Sequence, residues 1–161
     1  MERLQQYDVV VVGGGTAGVS AAVGAAKTGA KTLLIERNAY LGGEATNSGV
    51  SAFCGFYTCG ENPVRVVEGV GRLVLNEMEA LGPTVDYVIS ATGNRNINFQ
   101  PEYLKCAMDN LLEKERVDYF LHASVIGADT ENGTITAIHC ADDEGTFTVA
   151  AKAFVDASGD A

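Results

Sequence analysis

No apolar run in this chain approaches the roughly 20 residues that a membrane-spanning helix needs. Met1-Glu2-Arg3-Leu4 leads almost directly into a β-branched run, so no secretory segment is visible. Basic residues are scarce: 11 Lys and Arg stand against 21 Asp and Glu, a formal net charge of −10. That balance argues against nucleic acid or an anionic membrane surface as a general partner, and an anionic ligand must then be held by local helix and backbone donors. Histidine is limited to His122 and His139. Both fall in a strand-rich region and are read as structural or surface residues, because a catalytic base must first reach its substrate. The four cysteines are scattered with no Cys/His cluster at zinc spacing, so no metal site is expected. Without a signal segment they suit a reducing, cytoplasmic location. No Ser-His-Asp arrangement is visible, and the catalytic residues stay unknown.

Glycine, by contrast, is abundant, with 19 residues in a chain of 161 that is 47% hydrophobic. This suits a buried parallel sheet with tight turns and one real core. Tyr7-Asp8-Val9-Val10-Val11-Val12 reads as a strand, and Gly13-Gly14-Gly15-Thr16-Ala17-Gly18 follows it without a spacer. Gly13 permits the tight turn, Gly15 the close approach of backbone to a pyrophosphate, and Gly18 the close packing of the next helix. The pyrophosphate would lie over the helix N-terminus beside Thr16 and Ala17, where free N–H groups and the macrodipole favour negative charge. Ala21, Ala22, Ala25 and Ala26 keep that helix slim, Gly29 closes it, and Thr32-Leu33-Leu34-Ile35 forms a second buried strand. Glu36 ends that strand, 18 residues after Gly18, where a carboxylate accepts hydrogen bonds from an adenosine ribose.

Glu36-Arg37-Asn38-Ala39-Tyr40-Leu41-Gly42-Gly43 resembles the acid, linker and double glycine of FAD-dependent oxidoreductases in the glutathione-reductase and fumarate-reductase superfamily. The resemblance implies that Arg37, Gly42 and Gly43 approach the flavin's pyrophosphate and ribityl chain. It also places Thr46, within Glu44–Gly49, near that chain or the ring. A second resemblance lies in Ala153-Phe154-Val155-Asp156-Ala157-Ser158-Gly159-Asp160. It implies that Gly159 approaches the cofactor and that Asp160 faces the ribityl or pyrophosphate region. Cys54 and Cys59 share the four-residue gap of the disulfide reductases' redox pair, but Cys54 lies 11 residues beyond Gly43. In those reductases the pair follows the double glycine almost at once, so the two are read as ordinary cysteines.

Between these motifs, Pro63 is expected to open a helix running through Val66, Val67, Val70, Leu73, Val74 and Leu81. Arg65 and Arg72 would lie on it, each able to face a phosphate or carboxylate. Thr84 to Gln100 reads as loop, including Asn94-Arg95-Asn96-Ile97-Asn98, and Pro101 opens a helix with Leu104, Met108, Leu111 and Leu112 on one face. Residues 117–152 read as a β-meander: a strand over Tyr119–Ile126, a hairpin at Asn132-Gly133, then Thr134–Cys140 and Thr146–Lys152. In the resembling flavoproteins the adenine packs near the strand matching Val125.

The expected architecture is α/β: a Rossmann-like FAD-binding domain over residues 1–161, a parallel sheet with an inserted antiparallel β-meander. The expected cofactor is FAD. The expected function is the FAD-binding module or subunit of an oxidoreductase that moves a hydride or electron pair between an organic small-molecule substrate and the flavin. The resembling enzymes continue past the second flavin motif, which implies a companion polypeptide or C-terminal remainder that completes the flavin and substrate sites. Two alternatives stay open: an NAD(P)-binding domain, which leaves Gly42-Gly43 and Asp156–Asp160 without a role, and a non-catalytic scaffold subunit that retains the fold.

Overall fold

A computed structural model of the chain describes residues 4–83 and 85–159. They divide into two compact units, Met1–Leu41 with Leu112–Ala161, and Gly42–Leu111.

The first unit is built on one six-stranded sheet. Strand β1 (Leu4–Val12) pairs in parallel with β2 (Thr32–Ile35) on one side, and α1 (Thr16–Lys27) makes the crossover between them. Val10, Val11, Leu33, Leu34 and Ile35 are all buried, as strands covered on both faces require. Each such side chain contributes about 1.5–3 kcal/mol by leaving water. The helix ends as its sequence indicates: Gly29 takes φ +89 and its N–H closes on the Ala26 carbonyl at 2.8 Å.

The region after Val117 departs from expectation in two ways. The single strand expected over Tyr119–Ile126 is two strands on opposite edges of the sheet: β3 (Asp118–Phe120) runs parallel to β2, and β4 (Ser124–Glu131) starts the meander. His122 breaks them apart with φ +55, a conformation that stops extended pairing. The strand expected over Thr146–Lys152 and the one expected from Ala153 are a single strand, β6 (Gly145–Asp156). It pairs antiparallel with β5 (Thr134–Asp142) and parallel with β1, so meander and parallel layer share one sheet of order β3-β2-β1-β6-β5-β4. The Asn132-Gly133 hairpin forms as expected, both residues at positive φ. His139 joins three meander strands, with Nε2 3.0 Å from Asp129 Oδ1 and Nδ1 3.1 Å from Thr148 Oγ1.

Tyr7, Val10, Leu33, Ile35, Ile138, Cys140, Phe147 and Val149 form the core of this unit. The Tyr7 hydroxyl donates to Asp118 Oδ2 at 3.0 Å, tying β1 to β3 across β2, and the Lys31 ammonium lies 4.5 Å from its ring centroid. Burial first, then the bond to Asp118 and its charge, push the Tyr7 phenol up to about 12. Because the folded value lies above the unfolded value of 10, this contribution is complete below pH 10 and is lost as pH rises through about 12. Denaturation midpoints should therefore fall from pH 10 to 12, and Tyr7→Phe should flatten that slope while costing about 1 kcal/mol at neutral pH.

In the second unit, α2 (Glu44–Asn47) follows the double glycine, and a three-stranded antiparallel sheet joins β7 (Ala52–Phe53), β8 (Val85–Ile89) and β9 (Arg95–Phe99). The β8–β9 hairpin stands where a loop was expected. Its turn is closed by Ser90 N–H to Asn94 O at 2.8 Å, with Gly93 at φ +78. Helix α3 covers only Val70–Ala80 and buries Val74, Leu75 and Met78. The helix expected from Pro63 does not form before Gly69, which takes φ +64. Instead the Val66 N–H bonds to Phe56 O at 2.8 Å and Tyr57 pairs with Arg65 in an antiparallel bridge; the β-branched valines favour that extended path. Only Arg72 of the two arginines thus lies on the helix. Helix α4 (Pro101–Lys114) begins at Pro101 as expected and buries Leu104, Ala107, Met108, Leu111 and Leu112.

Candidate functional site

At the C-terminal end of β1 the glycine turn is fixed by the chain's own backbone. The Gly13 N–H donates to Ile35 O at 2.7 Å, and the Ala157 N–H donates to Val12 O at 2.8 Å. Gly13 takes φ +100, and a Cβ there would overlap the Ala157 carbonyl. At Gly14 a Cβ would come within 2.6 Å of Leu41 Cδ2. Gly18, on the first turn of α1, faces the turn itself: its Cβ would fall on the Gly13 carbonyl oxygen, with Ala157 Cβ 3.5 Å away. These three glycines are thus demanded by packing within the protein. Gly15 differs, because its φ of −68° and ψ of −179° are open to any residue.

Gly15 is the N-cap of α1. Among the described residues no side chain caps this end of the helix, and no acidic residue lies in its first turn. Its first N–H groups therefore face outward from a macrodipole of uncompensated positive sign, flanked by the exposed Thr16 and Ala17.

Glu36 is only 5% exposed. Its Oε2 accepts the Gly14 N–H at 2.5 Å, and its Oε1 accepts both the Asn38 N–H and Asn38 Nδ2 at 2.7 Å. The backbone is held too, with Glu36 N–H to Phe120 O at 2.8 Å, Ala123 N–H to Glu36 O at 3.0 Å, and His122 N–H to Asn38 O at 3.1 Å. Of the roughly four lone-pair sites of a carboxylate, three are used by described residues, which leaves one on Oε2. The link to the glycine turn is a role the sequence did not reveal; the only local signal was Asn38, whose short amide favours bonds to nearby groups.

The other expected contact residues are distributed as follows. Arg37 is exposed beside Glu36. Val125 is half-buried and packs on the core, its backbone in edge strand β4. Gly159 is exposed with φ +85 and open space where a Cβ would stand, and Asp160 lies outside the described residues. Ser158 donates its N–H to Asp156 Oδ1 at 2.9 Å, and this bond is the first cause holding the Asp156 carboxyl below its usual range. In the second unit Gly42 is buried at φ +111, and a Cβ would press on Thr46, whose Oγ1 would lie 2.6 Å away. Gly43 takes φ 54, and the Thr46 hydroxyl donates to its carbonyl at 3.2 Å. Cys54 and Cys59 are exposed free thiols, Cys59 Sγ lying 2.8 Å from Asn94 Oδ1. Among the described residues no group of three or more His, Cys, Asp or Glu could hold a metal, and no helix is long and apolar enough to cross a membrane.

A family model described as FAD dependent oxidoreductase matches residues 8–161. The chain is 29% identical over 129 residues to a digeranylgeranylglycerophospholipid reductase of Thermoplasma volcanium, covering 74% of this chain and 28% of the relative. It is 53% identical over 49 residues to glutathione reductase of Yarrowia lipolytica, covering 30% of this chain and 10% of that enzyme. A crystal structure of a geranylgeranyl bacteriochlorophyll reductase-like protein from Thermoplasma acidophilum shares the fold, with a TM-score of 0.66 at 22% identity. The superposition covers 97% of this chain and 40% of that one. The chain thus spans well under half the length of these relatives.

Proposed function

This chain belongs to the FAD dependent oxidoreductase family, and from that premise we propose that residues 1–161 form the FAD-binding part of an enzyme acting on an organic small molecule. The observation that carries the reading is the uncapped start of α1, placed against a turn where Gly13 and Gly18 leave no room for a side chain. A cofactor pyrophosphate fits there, since it brings the negative charge and the acceptors that the outward N–H groups lack. In this reading Gly15, Thr16 and Ala17 present main-chain donors to the phosphates. Glu36 accepts a ribose hydroxyl through its remaining lone pair, with Arg37 alongside. Val125 offers backbone to the adenine, while Gly159 and Asp160 approach the ribityl or pyrophosphate region. Gly42, Gly43 and Thr46 are assigned to the flavin side.

When bound, FAD supplies two-electron redox chemistry; the protein supplies binding, orientation and electrostatics. Main-chain donors hold the phosphates without adding net charge, which suits a chain of formal charge −10. The substrate-facing wall is assigned to the remaining length that the relatives possess, as further polypeptide or a companion subunit, and the assembly is placed in the cytoplasm.

Purification of the native assembly, with identification of its polypeptides and its extracted cofactor, tests the reading. One FAD per chain, bleached anaerobically by a two-electron donor, is the expected result. A colourless assembly that binds only a nicotinamide dinucleotide would contradict it, as would full partner activity from an assembly without cofactor.

A further inference from the structure

The Gly42–Leu111 unit holds a cationic cluster that the flavin assignment leaves unused. Arg95, the first residue of β9, places its guanidinium carbon 5.0 Å from the Tyr57 ring centroid and 5.4 Å from that of Tyr87. The two rings meet edge to face at 6.2 Å. Arg95 Nε is buried without a hydrogen-bond partner, and its guanidinium makes no hydrogen bond or ion pair with any described residue. Arg72, half-buried on α3, is close enough to act on the Tyr87 phenol and is likewise without an ion pair among the described residues.

This is unusual in a chain with 21 acidic and 11 basic residues, where carboxylates are plentiful. Acids of this unit are engaged elsewhere: Glu68 takes Arg65 at 2.7 Å, and Glu79 accepts the Tyr87 hydroxyl at 2.7 Å. Aromatic rings attract a cation through their quadrupoles but do not accept its in-plane N–H bonds. The guanidinium is therefore held while its donor fork stays unspent, and a buried unsatisfied donor on a charged group is costly. A planar carboxylate matches that fork with two parallel bonds. Glu79, held on the Tyr87 hydroxyl, repels a dianion more than a monoanion, which favours carboxylate over phosphate.

We propose that Arg95, oriented by Tyr57 and Tyr87 and assisted by Arg72, binds the carboxylate of a small organic acid. That this acid is the enzyme's substrate rests on the oxidoreductase reading above; the binding itself does not.

The test is a side-chain NMR titration of the full chain, following the arginine Nε–H signals with propionate, propionamide and inorganic phosphate at constant ionic strength. The Arg95 signal should move saturably with propionate and stay in place with propionamide. Binding should weaken at least tenfold in Arg95→Lys, which keeps the charge but loses the fork, and severalfold in Arg72→Gln. The site is refuted by absence of saturation, by an equal response to propionamide or phosphate, or by unchanged affinity in folded Arg95→Lys. Should Arg95→Lys fail to fold, the wild-type and Arg72→Gln titrations decide alone. Flavin content is measured separately, so propionate binding in a chain that takes up no FAD would count against the proposed FAD-binding role and leave this site standing.

Discussion

Gly18→Ala should destabilise the protein by about 1–3 kcal/mol and abolish flavin retention, although alanine is the better helix former. Propensity alone predicts the opposite sign, a gain of about 1 kcal/mol from replacing glycine within α1. Packing decides, because the added methyl would fall on the Gly13 carbonyl and force the helix off the turn. Displacing the helix also moves the N–H groups proposed to hold the phosphates, so cofactor loss should accompany the loss of stability. Gly24 supplies the control: it lies on the same helix with nothing within 4 Å of a Cβ. Gly24→Ala should stabilise by about 0.5–1 kcal/mol and keep its flavin. Urea denaturation of both variants, with flavin content from absorbance, separates the two effects. Equal, stabilising responses at the two positions would show that the turn is looser than described.

Glu36→Ala carries the second large effect. It removes the acceptor for the Gly14 N–H and for both Asn38 donors. Two backbone N–H groups lose their partners, each costing about 1–3 kcal/mol where water is excluded. A total near 3 kcal/mol is expected, with at least a tenfold loss of FAD affinity, equivalent to about 1.4 kcal/mol. Asn38→Ala distinguishes the structural from the ligand role. It removes one side-chain donor and leaves the carboxylate on Gly14, so stability should fall by about 1 kcal/mol while FAD affinity stays nearly unchanged. Denaturation and equilibrium dialysis with FAD would measure the pair. Parallel losses of affinity in both variants would assign Glu36 to turn geometry alone.

The β1-α1-β2 unit was legible because every local signal agreed: a valine run, a glycine turn, a slim alanine helix and a second buried strand. The site's internal wiring was not. Glu36 reaches Gly14 only because β2 lies beside β1, a proximity set by pairing across distant sequence. The β8–β9 hairpin was hidden because Asn94, Asn96 and Asn98 look like loop, although Ile97 and Phe99 alternate with them and are buried. The break between β3 and β4 depends on one histidine at positive φ, which composition does not announce. Pro63 and the valines after it fit helical spacing, yet an antiparallel bridge between Tyr57 and Arg65 carries that stretch instead.

Amide hydrogen exchange with and without FAD tests most directly where the cofactor is held. Slowed exchange at Gly15, Thr16, Ala17 and Gly18 is predicted, at FAD concentrations that saturate one site per chain. Stoichiometric FAD binding with those four amides exchanging at the unliganded rate would contradict the account.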